Sequence, residues 1–417
     1  MMVEHFPRKN PLLRTQTPLL PPAARSRAAH LLTAAACAGR FELPCCTTCN
    51  AFAWPIPEAC PNCMGEIALR KAPQGGELLS ATVAEVPADP YFRERAPWRV
   101  GLVKLDCGPI AVTHLGPLKE PGARVNVTLM LDRAGQAVLH AGPQKGGAMQ
   151  DDPQWQDMVA NPRGRRILIT DARHFCAIPL TQALVKAGAA EVTLGLHDSW
   201  KPFEGRGALE SLPCVKIESL DLGSDRSIQD MAAQIGGKIE ILINTADVLR
   251  PGWLMSPRAP VEAKAVMEIV AFGLMRLARG FGPAMASRGA DGARSAVAWV
   301  NLLSVFGRAH PPELAGYAAA HAAALALSHA VRAELATGGV RLMTVLTGPT
   351  EDEWFQAFPP PRVSADALAK AVLDGLMRGL EEVVVGDVAR DLMARLEENP
   401  KAIERELAQG RMYGGAA

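Results

Sequence analysis

Four cysteines form two closely spaced pairs near the amino terminus, in the order Cys46-x2-Cys49-x10-Cys60-x2-Cys63. Each pair can bend into a turn whose two thiolates point at one metal ion, and two such turns supply the four soft ligands of a tetrahedral zinc site. A site closed by four thiolates keeps no open position for a substrate, so the spacing predicts structural zinc. Reduced thiols buried in a core are the alternative. Cys45 could also replace Cys46 as a ligand, although the x2 spacing favours Cys46.

Two residues beside these pairs fit the same hypothesis. Asn50 follows the first pair, and Gly65 lies just after the second. Turns of this kind often need a residue that tolerates a positive φ, and glycine and asparagine adopt that conformation most easily. We therefore expect positive φ at both positions.

Composition limits the functions that the chain could have. The chain has 417 residues, 48% of them hydrophobic, and a formal net charge of +1, which predicts two or three globular domains. Balanced charge gives no basic footprint for nucleic acid or an anionic membrane, so neither partner is expected. No run of about 20 apolar residues and no secretion signal is present, which predicts a cytoplasmic protein. In a chain this long, paired cysteines favour metal binding over a disulfide framework.

Four regions precede the long carboxyl-terminal part of the chain. Residues 1–40 comprise a Pro-rich extended segment and an Ala-rich helix from Ala23 to Gly39. Residues 41–70 contain the cysteine pairs, and residues 71–145 hold five short β-like runs separated by turn residues, a pattern typical of a small barrel. Residues 146–164 are polar and contain glycine and proline, which indicates a linker with room for one helical turn.

From residue 165 to residue 417, strand-like and helix-like segments alternate. The strand-like runs are RILIT, EVTLGL, VKIESLDL, IEILINTA, VAWVNLLS and VRLMTVLT. Such alternation is typical of an α/β domain with a doubly wound parallel sheet. At the carboxyl end, Val388 to Ala408 shows helical spacing of apolar and charged residues, and Pro400 divides this tail in two.

The region of about residues 24–142 resembles the domain-of-unknown-function 35 family. The resemblance rests on FELPCCTTCNAFAWPIPEACPNC, the strand LLSATVAEV, the hairpin VGLVKLDCGPIAV and the sequence GARV that begins at Gly122. It implies a rubredoxin-like zinc ribbon followed by an OB-fold, and a role beside thiolase- or aldolase-like enzymes of acyl-CoA metabolism. An OB-fold that binds single-stranded nucleic acid is the alternative, but the region is not basic and its aromatic residues are few, chiefly Tyr91, Phe92 and Trp98.

The region from about Arg165 to Val385 resembles the short-chain dehydrogenase/reductase (SDR) superfamily, which has a Rossmann fold. ILITDARHFCA stands where the family has TGxxxGxG, and ILINTAD, which includes Asn244, replaces the NNAG strand. VNLLSVFGR places Ser304 at the position of the family's catalytic serine. Tyr317 follows thirteen residues later, as the tyrosine of YxxxK does in the family.

Further positions extend this resemblance. Asp221 ends a strand where the family has an aspartate that contacts adenine, and TGPT, from Thr347 to Thr350, is similar to the PG segment near the nicotinamide. The resemblance implies NAD or NADP as the cofactor. It also implies that the domain pairs with itself or with an SDR homologue through the helix that carries Tyr317.

The cofactor-binding turn departs from the family's pattern. After Thr170, the three glycine positions are occupied by Asp171, Phe175 and Ala177. The family's glycines let the backbone approach the pyrophosphate at a helix N-terminus. A carboxylate repels phosphate and a benzyl group fills the space that the cofactor needs, whereas alanine alone is tolerable.

The acid/base positions depart as well. The family's tyrosine, lysine, serine and asparagine correspond to Tyr317, His321, Ser304 and Val270. Tyrosine, with a pKa of about 10, needs a nearby cation to act as a base at neutral pH. Histidine is shorter than lysine and titrates near neutrality, and valine has no polar group.

Two functional hypotheses follow. In the first, the chain is an accessory or scaffold protein of an acyl-CoA pathway, in which the zinc-ribbon/OB module contacts a thiolase- or aldolase-like enzyme and a degenerate SDR-like domain is impaired in cofactor binding. In the second, Ser304, Tyr317 and His321 form a working triad of an NAD(P)-dependent oxidoreductase that acts on a hydroxyacyl-CoA or ketoacyl-CoA. The altered glycines and catalytic positions favour the first.

Overall fold

The computed structural model describes residues 18–23, 26–117, 120–144, 149–198, 200–290, 295–352, 355–356, 358 and 360–410. The extended segment predicted before residue 18 lies outside these ranges. Along the chain the described residues form a two-stranded sheet, a closed five-stranded barrel and a seven-stranded sheet. The fold is therefore built from a small β module followed by an α/β domain.

The amino-terminal helix is shorter than the predicted helix from Ala23. A 3-10 turn, Ala28–His30, leads into α1, Leu31–Cys37, and Gly39 follows the helix with a φ of +66°. The side chain of Arg27 does not cap the 3-10 turn, but the Ser26 hydroxyl accepts a hydrogen bond from the amide of Ala29 at 3.3 Å and so satisfies one of the first N–H groups. The side chains of α1 that pack into the core of the barrel are Leu32, Ala35, Ala36 and Cys37.

A two-stranded antiparallel sheet carries the cysteine pairs. It consists of β1, Glu42–Cys46, and β2, Ile67–Lys71, with Cys46 opposite Ile67. The loop between these strands contains the other three cysteines of the two pairs. Pairing of the strands therefore brings the beginning and the end of this loop together.

Five strands close into the barrel that the sequence predicts. They are β3 (Gly75–Ala84), β4 (Trp98–Leu105), β5 (Ile110–Leu115), β6 (Arg124–Leu131) and β7 (Ala137–Pro143). A short helix, α2 (Pro90–Arg93), lies between β3 and β4. The order around the barrel is β3-β4-β5-β7-β6, in which only β5 and β7 are parallel among these neighbours. Closure satisfies the strand edges, and alternate side chains fill the interior.

The carboxyl-terminal domain contains the predicted doubly wound parallel sheet. Its strands are β8 (Arg166–Ile169), β9 (Glu191–Leu196), β10 (Val215–Ser219), β11 (Ile241–Asn244), β12 (Ala298–Ser304), β13 (Arg341–Thr347) and β14 (Glu382–Val385). Their order is β10-β9-β8-β11-β12-β13-β14, and all neighbours are parallel. Because helices cover both faces, the central strands β11 and β12 are buried along their whole length.

Helices flank both faces of this sheet. One turn, α3 (Pro153–Gln156), precedes β8; the remaining helices are α4 (Ala177–Lys186), α5 (Arg206–Glu210), α6 (Asp225–Met231), α7 (Ala259–Met267), α8 (Gly273–Ser287), α9 (Ala315–Ala336), α10 (Ala365–Arg378), α11 (Asp387–Glu398) and α12 (Pro400–Ala408). Single π-helical turns, Ala232–Gly236 and Glu268–Phe272, follow α6 and α7. Within the described part of the chain, no helix has both the length and the apolar character needed to span a bilayer.

A chain of buried hydrogen bonds crosses the middle of the sheet. The hydroxyl of Thr170 donates to the Asn244 side chain (3.1 Å), whose amide donates to the Asn301 side chain (3.3 Å). Asn301 also accepts from the indole of Trp299 (2.8 Å) and donates to the hydroxyl of Ser328 on α9 (2.8 Å). Each of these groups would cost about 1–3 kcal/mol if it were buried without a partner. The hydrogen bonds therefore fix the rotation of α9 relative to β8, β11 and β12.

A glycine brings the turn after β12 against α9. A Cβ at Gly307 would lie 2.8 Å from the carbonyl carbon of His321 and 2.9 Å from the amide nitrogen of Ala322. These are backbone atoms within the helix, which cannot move aside independently, so only glycine permits this approach. The contact sets the distance between Ser304, at the end of β12, and the side chains of α9.

Arginines join the barrel to the α/β domain. Arg341, on β13, donates to the main-chain carbonyls of Met158 (2.8 Å) and Leu131 (3.0 Å), and Arg133 of the barrel donates to the carbonyl of Gly289 (3.2 Å). Each part of the chain therefore contributes both an arginine donor and a carbonyl acceptor. The barrel therefore rests on the α/β domain through side-chain donors and main-chain acceptors.

Candidate functional site

The carboxyl ends of β8, β11, β12 and β13 meet at one edge of the sheet. Thr170 follows β8, Asn244 ends β11, Ser304 ends β12 and Thr347 ends β13. In open α/β sheets, ligands bind at this edge, where the strand order reverses. The reversal lies here between β8 and β11.

Asp247, three residues beyond β11, accepts hydrogen bonds from two side chains of α9. The Tyr317 hydroxyl lies 3.1 Å from its Oδ2, and the His321 Nε2 lies 3.4 Å from its Oδ1. His321 Nδ1 accepts from the backbone amide of Ser304 at 3.1 Å. Nδ1 is therefore unprotonated, which places the proton of the neutral ring on Nε2, directed at Asp247.

These contacts oppose ionisation of the tyrosine. Burial and the adjacent Asp247 carboxylate raise the pKa of Tyr317 well above its ordinary value, although a hydrogen bond with Ser304 acts in the other direction. Burial disfavours the charged form of Asp247, but its interactions with His321, His174 and Tyr317 together outweigh burial and lower the pKa of that carboxyl. At neutral pH the arrangement is a protonated phenol held by a carboxylate.

Ser304 and Val270 complete the four predicted acid/base positions. The Ser304 hydroxyl accepts from the amide of Phe306 at 3.2 Å, so it caps the 3-10 turn that follows β12. Val270 is buried in a π-helical turn. The structure thus brings Ser304, Tyr317 and His321 together, and it adds Asp247 in place of a cation.

At the turn after β8, Asp171 uses its carboxylate to stabilise its own loop. Its Oδ1 accepts from the amide of Arg173 (2.8 Å), and its amide donates to the hydroxyl of Thr245 (3.1 Å). Phe175 packs half-buried against the core on this face of the sheet, and Ala177 begins α4. All three positions that are glycines in the resembled family therefore carry side chains with structural contacts.

Arg173 and Asp221 also make contacts within the fold. The Arg173 guanidinium donates to the carbonyls of His197 (2.7 Å) and Asp198 (3.2 Å) in the loop after β9. Asp221, beyond β10, accepts from the amide of Gly223 (2.8 Å) and lies 3.7 Å from the His197 ring. Asp221 thus turns the chain toward α6 and lies beside the loop after β9.

A cavity of about 290 Å³ lies at this edge of the sheet. Its lining combines three carboxylates with two guanidiniums and two aromatic rings: Asp171, Asp247, Asp352, Arg173, Arg250, Phe175 and Phe355. Arg173 and Arg250 offset part of the negative charge of the three carboxylates, whereas burial lowers the pKa of His174 and disfavours its charged form. The turn after β8 fits the pyrophosphate of NAD or NADP poorly, since phosphate would meet the Asp171 carboxylate and the Phe175 benzyl group where backbone amides are needed.

Sequence reasoning missed Asp247. The residue is the last letter of ILINTAD, at the position of the glycine in the family's NNAG. A carboxylate in place of a glycine was a detectable signal, but its partners on α9 lie 70 and 74 residues away along the chain.

The four paired cysteines come together in the loop between β1 and β2. The Sγ atoms of Cys46, Cys49, Cys60 and Cys63 all lie within 4.8 Å of one another. The Cys46–Cys63 separation is 3.5 Å and the Cys49–Cys60 separation is 3.6 Å. Four sulfurs at the usual zinc–sulfur distance would be about 3.8 Å apart, so this set fits a tetrahedral zinc ion.

Backbone amides favour the thiolate form of Cys46. The amides of Cys49 and Thr48 lie 3.4 and 3.3 Å from the sulfur of Cys46, and such hydrogen bonds lower the pKa of Cys46 to about 6. Cys45 is buried elsewhere and directs its thiol at the carbonyl of Cys46 at 3.7 Å. Cys45 therefore does not belong to the cluster.

The two turn residues behave differently from each other. Asn50 has the expected positive φ of 59°, but in the second turn it is Met64, not Gly65, that adopts a φ of 59°. A Cβ on Gly65 would lie 2.7 Å from the Thr48 hydroxyl oxygen and 3.0 Å from the Cys46 sulfur. Close approach of the two turns, not backbone conformation, thus requires glycine at position 65.

Replacing Asp247 with Asn should lower the pKa of Tyr317, because the change removes the negative charge that opposes formation of tyrosinate. The sequence contains only three tyrosines, so ultraviolet absorbance during an alkaline titration can resolve this group after subtraction of the curve for Tyr317→Phe. The parent Tyr317 should ionise above the ordinary value of about 10. Asp171→Asn, in the same cavity without a contact to the phenol, is the matched control. A normal parent pKa, or an equal change in the control, would contradict the proposed arrangement.

Comparison with known proteins agrees with this architecture. A family model for short-chain dehydrogenases matches residues 179–361, and a model for the ChsH2 carboxyl-terminal OB-fold domain matches residues 69–129. The chain is 24% identical over 191 residues to the short chain dehydrogenase tazN of Aspergillus terreus, which covers 45% of this chain and 41% of that protein. It is 26% identical over 225 residues to 1-deoxy-11-beta-hydroxypentalenate dehydrogenase of Streptomyces exfoliatus, covering 51% of this chain and 79% of that protein.

A solved structure gives the same result for the second domain. A short-chain dehydrogenase from Burkholderia cenocepacia, determined in complex with NADP, is 29% identical and superposes with a TM-score of 0.53. The match covers 59% of this chain and 98% of that chain, so the additional residues here include the β module. The chain is therefore a fusion of an OB-fold domain of the ChsH2 carboxyl-terminal type with a short-chain dehydrogenase domain.

Proposed function

We propose that this chain is an accessory protein of acyl-CoA metabolism whose dehydrogenase-like domain no longer transfers hydride. The observation that carries the proposal is the hydrogen bond from Tyr317 to Asp247. A tyrosine that exchanges a proton with a substrate needs a free hydroxyl and a neighbouring cation. Here the hydroxyl is bound by a carboxylate, and the neighbouring imidazole is held as a neutral donor.

The cofactor turn supports the same proposal. A dinucleotide would bring the negative pyrophosphate to Asp171, and the side chain of Phe175 would compete for the same space. Repulsion and lost contacts of this kind cost a few kcal/mol, which corresponds to roughly a hundredfold in affinity. Impaired cofactor binding and an inactive tyrosine would each prevent hydride transfer.

The isolated protein should bind NADH and NADPH weakly or not at all. The double variant Asp171→Gly/Phe175→Gly should bind at least about tenfold more tightly, because it removes the charge and the bulk at the pyrophosphate position. Fluorescence or calorimetric titration measures both. Asp151→Gly, at an exposed aspartate before α3, is the matched control and should not gain affinity.

An active oxidoreductase is the second candidate function. The NADP complex of the Burkholderia cenocepacia relative favours it, as does the proximity of Ser304, Tyr317 and His321. Micromolar binding of either nucleotide by the parent, with turnover of a hydroxyacyl-CoA or ketoacyl-CoA that is lost in Tyr317→Phe, would establish this function and overturn the scaffold proposal.

The proposal includes a structural zinc ribbon in the amino-terminal module. The four clustered thiols, the N–H groups directed at Cys46 and the glycine-dependent approach of the two turns support it. A closed zinc site of this kind contributes folding free energy to a small module.

Purified protein should contain about one zinc per chain. Cys49→Ser should lose the metal and destabilise the amino-terminal module, because three ligands hold zinc less tightly and the turns lose their cross-link. Elemental analysis and thermal unfolding provide the measurement. Cys45→Ser, which changes the neighbouring buried thiol outside the cluster, should retain zinc. Equal metal content in Cys49→Ser and the parent would show that the ribbon assignment is wrong.

The barrel offers an apolar surface to a partner. Leu102 of β4 lies opposite Val112 of β5, and both side chains, with Ile110, are 40–65% exposed on the outer face. Leu79, at the irregularity of β3 next to Ser80, the residue paired with Leu102, adds exposed apolar area beside them. Contiguous apolar strands on a soluble barrel often mark a protein contact. The family resemblance indicates a thiolase- or aldolase-like acyl-CoA enzyme as this partner.

A second apolar groove lies between α8 and α9. It has a volume of about 450 Å³ and is lined by residues that include Leu274, Met275, Ala278, Leu327 and Val331. Pairing with a second copy or with an active SDR homologue would cover this groove, since small alanines on α9 allow close helix approach.

When this protein is co-expressed with thiolase- and dehydrogenase-type proteins from neighbouring genes, it should elute with them as a complex on size-exclusion chromatography. Val112→Lys should weaken binding of the thiolase-type protein by at least about tenfold, because it places a charge in the apolar contact. Val86→Lys makes the same change at a more exposed position outside the strands and should leave the complex intact. Elution as a monomer with no partner, combined with acyl-CoA redox turnover by the chain alone, would overturn the accessory role.

A further inference from the structure

A second cavity lies between the barrel and the α/β domain, far from the carboxyl edge of the sheet. It has a volume of about 260 Å³, and its lining includes Arg133, Asp157, Arg165, Ser295, Gly339 and Arg341. Arg133 comes from the barrel side, Asp157 from the segment after α3, and Arg341 from β13. The cavity therefore exists only when the two parts of the chain are docked.

Main-chain carbonyls hold the three arginines in place. Arg165 donates to the carbonyls of Asn161 (3.1 Å) and Ser295 (2.9 Å). Arg133 and Arg341 donate to the carbonyls that join the barrel to the α/β domain. A carbonyl oxygen accepts a hydrogen bond but carries no net charge, so these contacts fix the guanidiniums without neutralising them.

One carboxylate in the cavity faces these cations. Asp157 lies 3.4 Å from Arg133, but it also accepts from Arg95 at 3.0 Å and from the Tyr91 hydroxyl. Arg95 does not line the cavity, and it takes up part of the negative charge. The positive charge of the guanidiniums around Asp157 therefore exceeds the negative charge of its carboxylate.

Three carboxylates outside the cavity also attract its arginines: Glu240 acts on Arg165, and Glu381 and Asp132 act on Arg341. Two of them are shared with further arginines, since Glu240 pairs with Arg166 at 2.7 Å and with Arg288 at 3.3 Å, and Glu381 lies 3.5 Å from Arg332. The arginines of this region therefore still outnumber its carboxylates. Arg133 is repelled by Arg165 and Arg341 of the same cavity. Burial, together with repulsion from the neighbouring arginines, lowers the pKa of Arg133 to about 9.

We propose that this interdomain cavity binds a phosphate-class anion, either free phosphate or a phosphomonoester group on a larger molecule. Three guanidiniums converging on a small polar space offer the planar, paired N–H donors that match tetrahedral oxyanions. A bound dianion would offset the mutual repulsion of the arginines and would contact both parts of the chain at once. The site therefore couples anion binding to docking of the barrel on the α/β domain.

The test uses the full chain with inorganic phosphate as the probe, at about pH 8 and against chloride of equal ionic strength. Burial raises the pKa of Asp157 to about 7, so this pH keeps the carboxylate charged in the parent. Calorimetry should show saturable phosphate binding, and phosphate should raise the unfolding temperature because it binds the folded state. Arg133→Gln should weaken binding by at least about tenfold, the loss expected for one charged hydrogen-bond donor.

Two further variants separate ligand binding from a general loss of structure. Asp157→Asn should tighten phosphate binding about threefold or more, because it removes the competing negative charge while retaining a side chain that can accept hydrogen bonds. Arg124→Gln changes an arginine of the barrel that pairs with Asp106 and does not line the cavity, so it should not weaken binding. A gain of affinity in Asp157→Asn cannot result from misfolding.

Coenzyme A and dephospho-coenzyme A distinguish the two sources of the anion. Tighter binding of coenzyme A than of both dephospho-coenzyme A and inorganic phosphate, lost in Arg133→Gln, supports a phosphomonoester; binding of inorganic phosphate alone supports the free ion. No phosphate effect beyond that of chloride, or equal affinities in the parent, Arg133→Gln and Asp157→Asn, overturns the proposal.

Discussion

The buried hydrogen-bond chain from Thr170 through Asn244 and Asn301 to Ser328 sets the geometry on which the candidate site depends. Polar groups inside a parallel sheet cannot turn to water, so each partner must stay in register with the next. Ser328 is two helical turns from His321 on the same face of α9. Satisfying Ser328 therefore directs His321 and Tyr317 toward the end of β11, where Asp247 receives them.

The same framework explains how a fold can persist while the chemistry at its edge changes. The hydrogen-bond chain and the contact of Gly307 with α9 concern the interior, and neither involves the cavity-lining carboxylates. Side chains at the edge can thus be exchanged without altering the sheet. Asp171 and Asp247 illustrate this. The Asp171 carboxylate accepts a hydrogen bond from a backbone amide and the Asp247 carboxylate accepts one from the Tyr317 hydroxyl, and glycine has no side chain that could accept either bond.

Much of the fold could be predicted from the sequence because the relevant signals are local. Apolar runs between helical segments indicated the parallel sheet, and the spacing of Cys46, Cys49, Cys60 and Cys63 indicated a cluster that the structure brings together. Less local features were missed. The positive φ of Met64 depends on how the second turn packs against the first, and the role of Asp247 depends on a helix some 70 residues away. The cationic cavity joins Arg133 to Arg341 across two domains, which no local pattern encodes.

The chemistry of the interface between the two domains also determines which sequence changes it can absorb. Arg133 and Arg341 cross it with hydrogen bonds to the main-chain oxygens of Gly289, Leu131 and Met158. A carbonyl is present whatever side chain the residue carries, so the accepting positions can vary in size and polarity without losing an acceptor. The donating positions have no such freedom, because lysine cannot reproduce the forked geometry of arginine. Divergent copies of this fusion are thus expected to keep arginine at positions 133 and 341 while the residues that receive their hydrogen bonds drift.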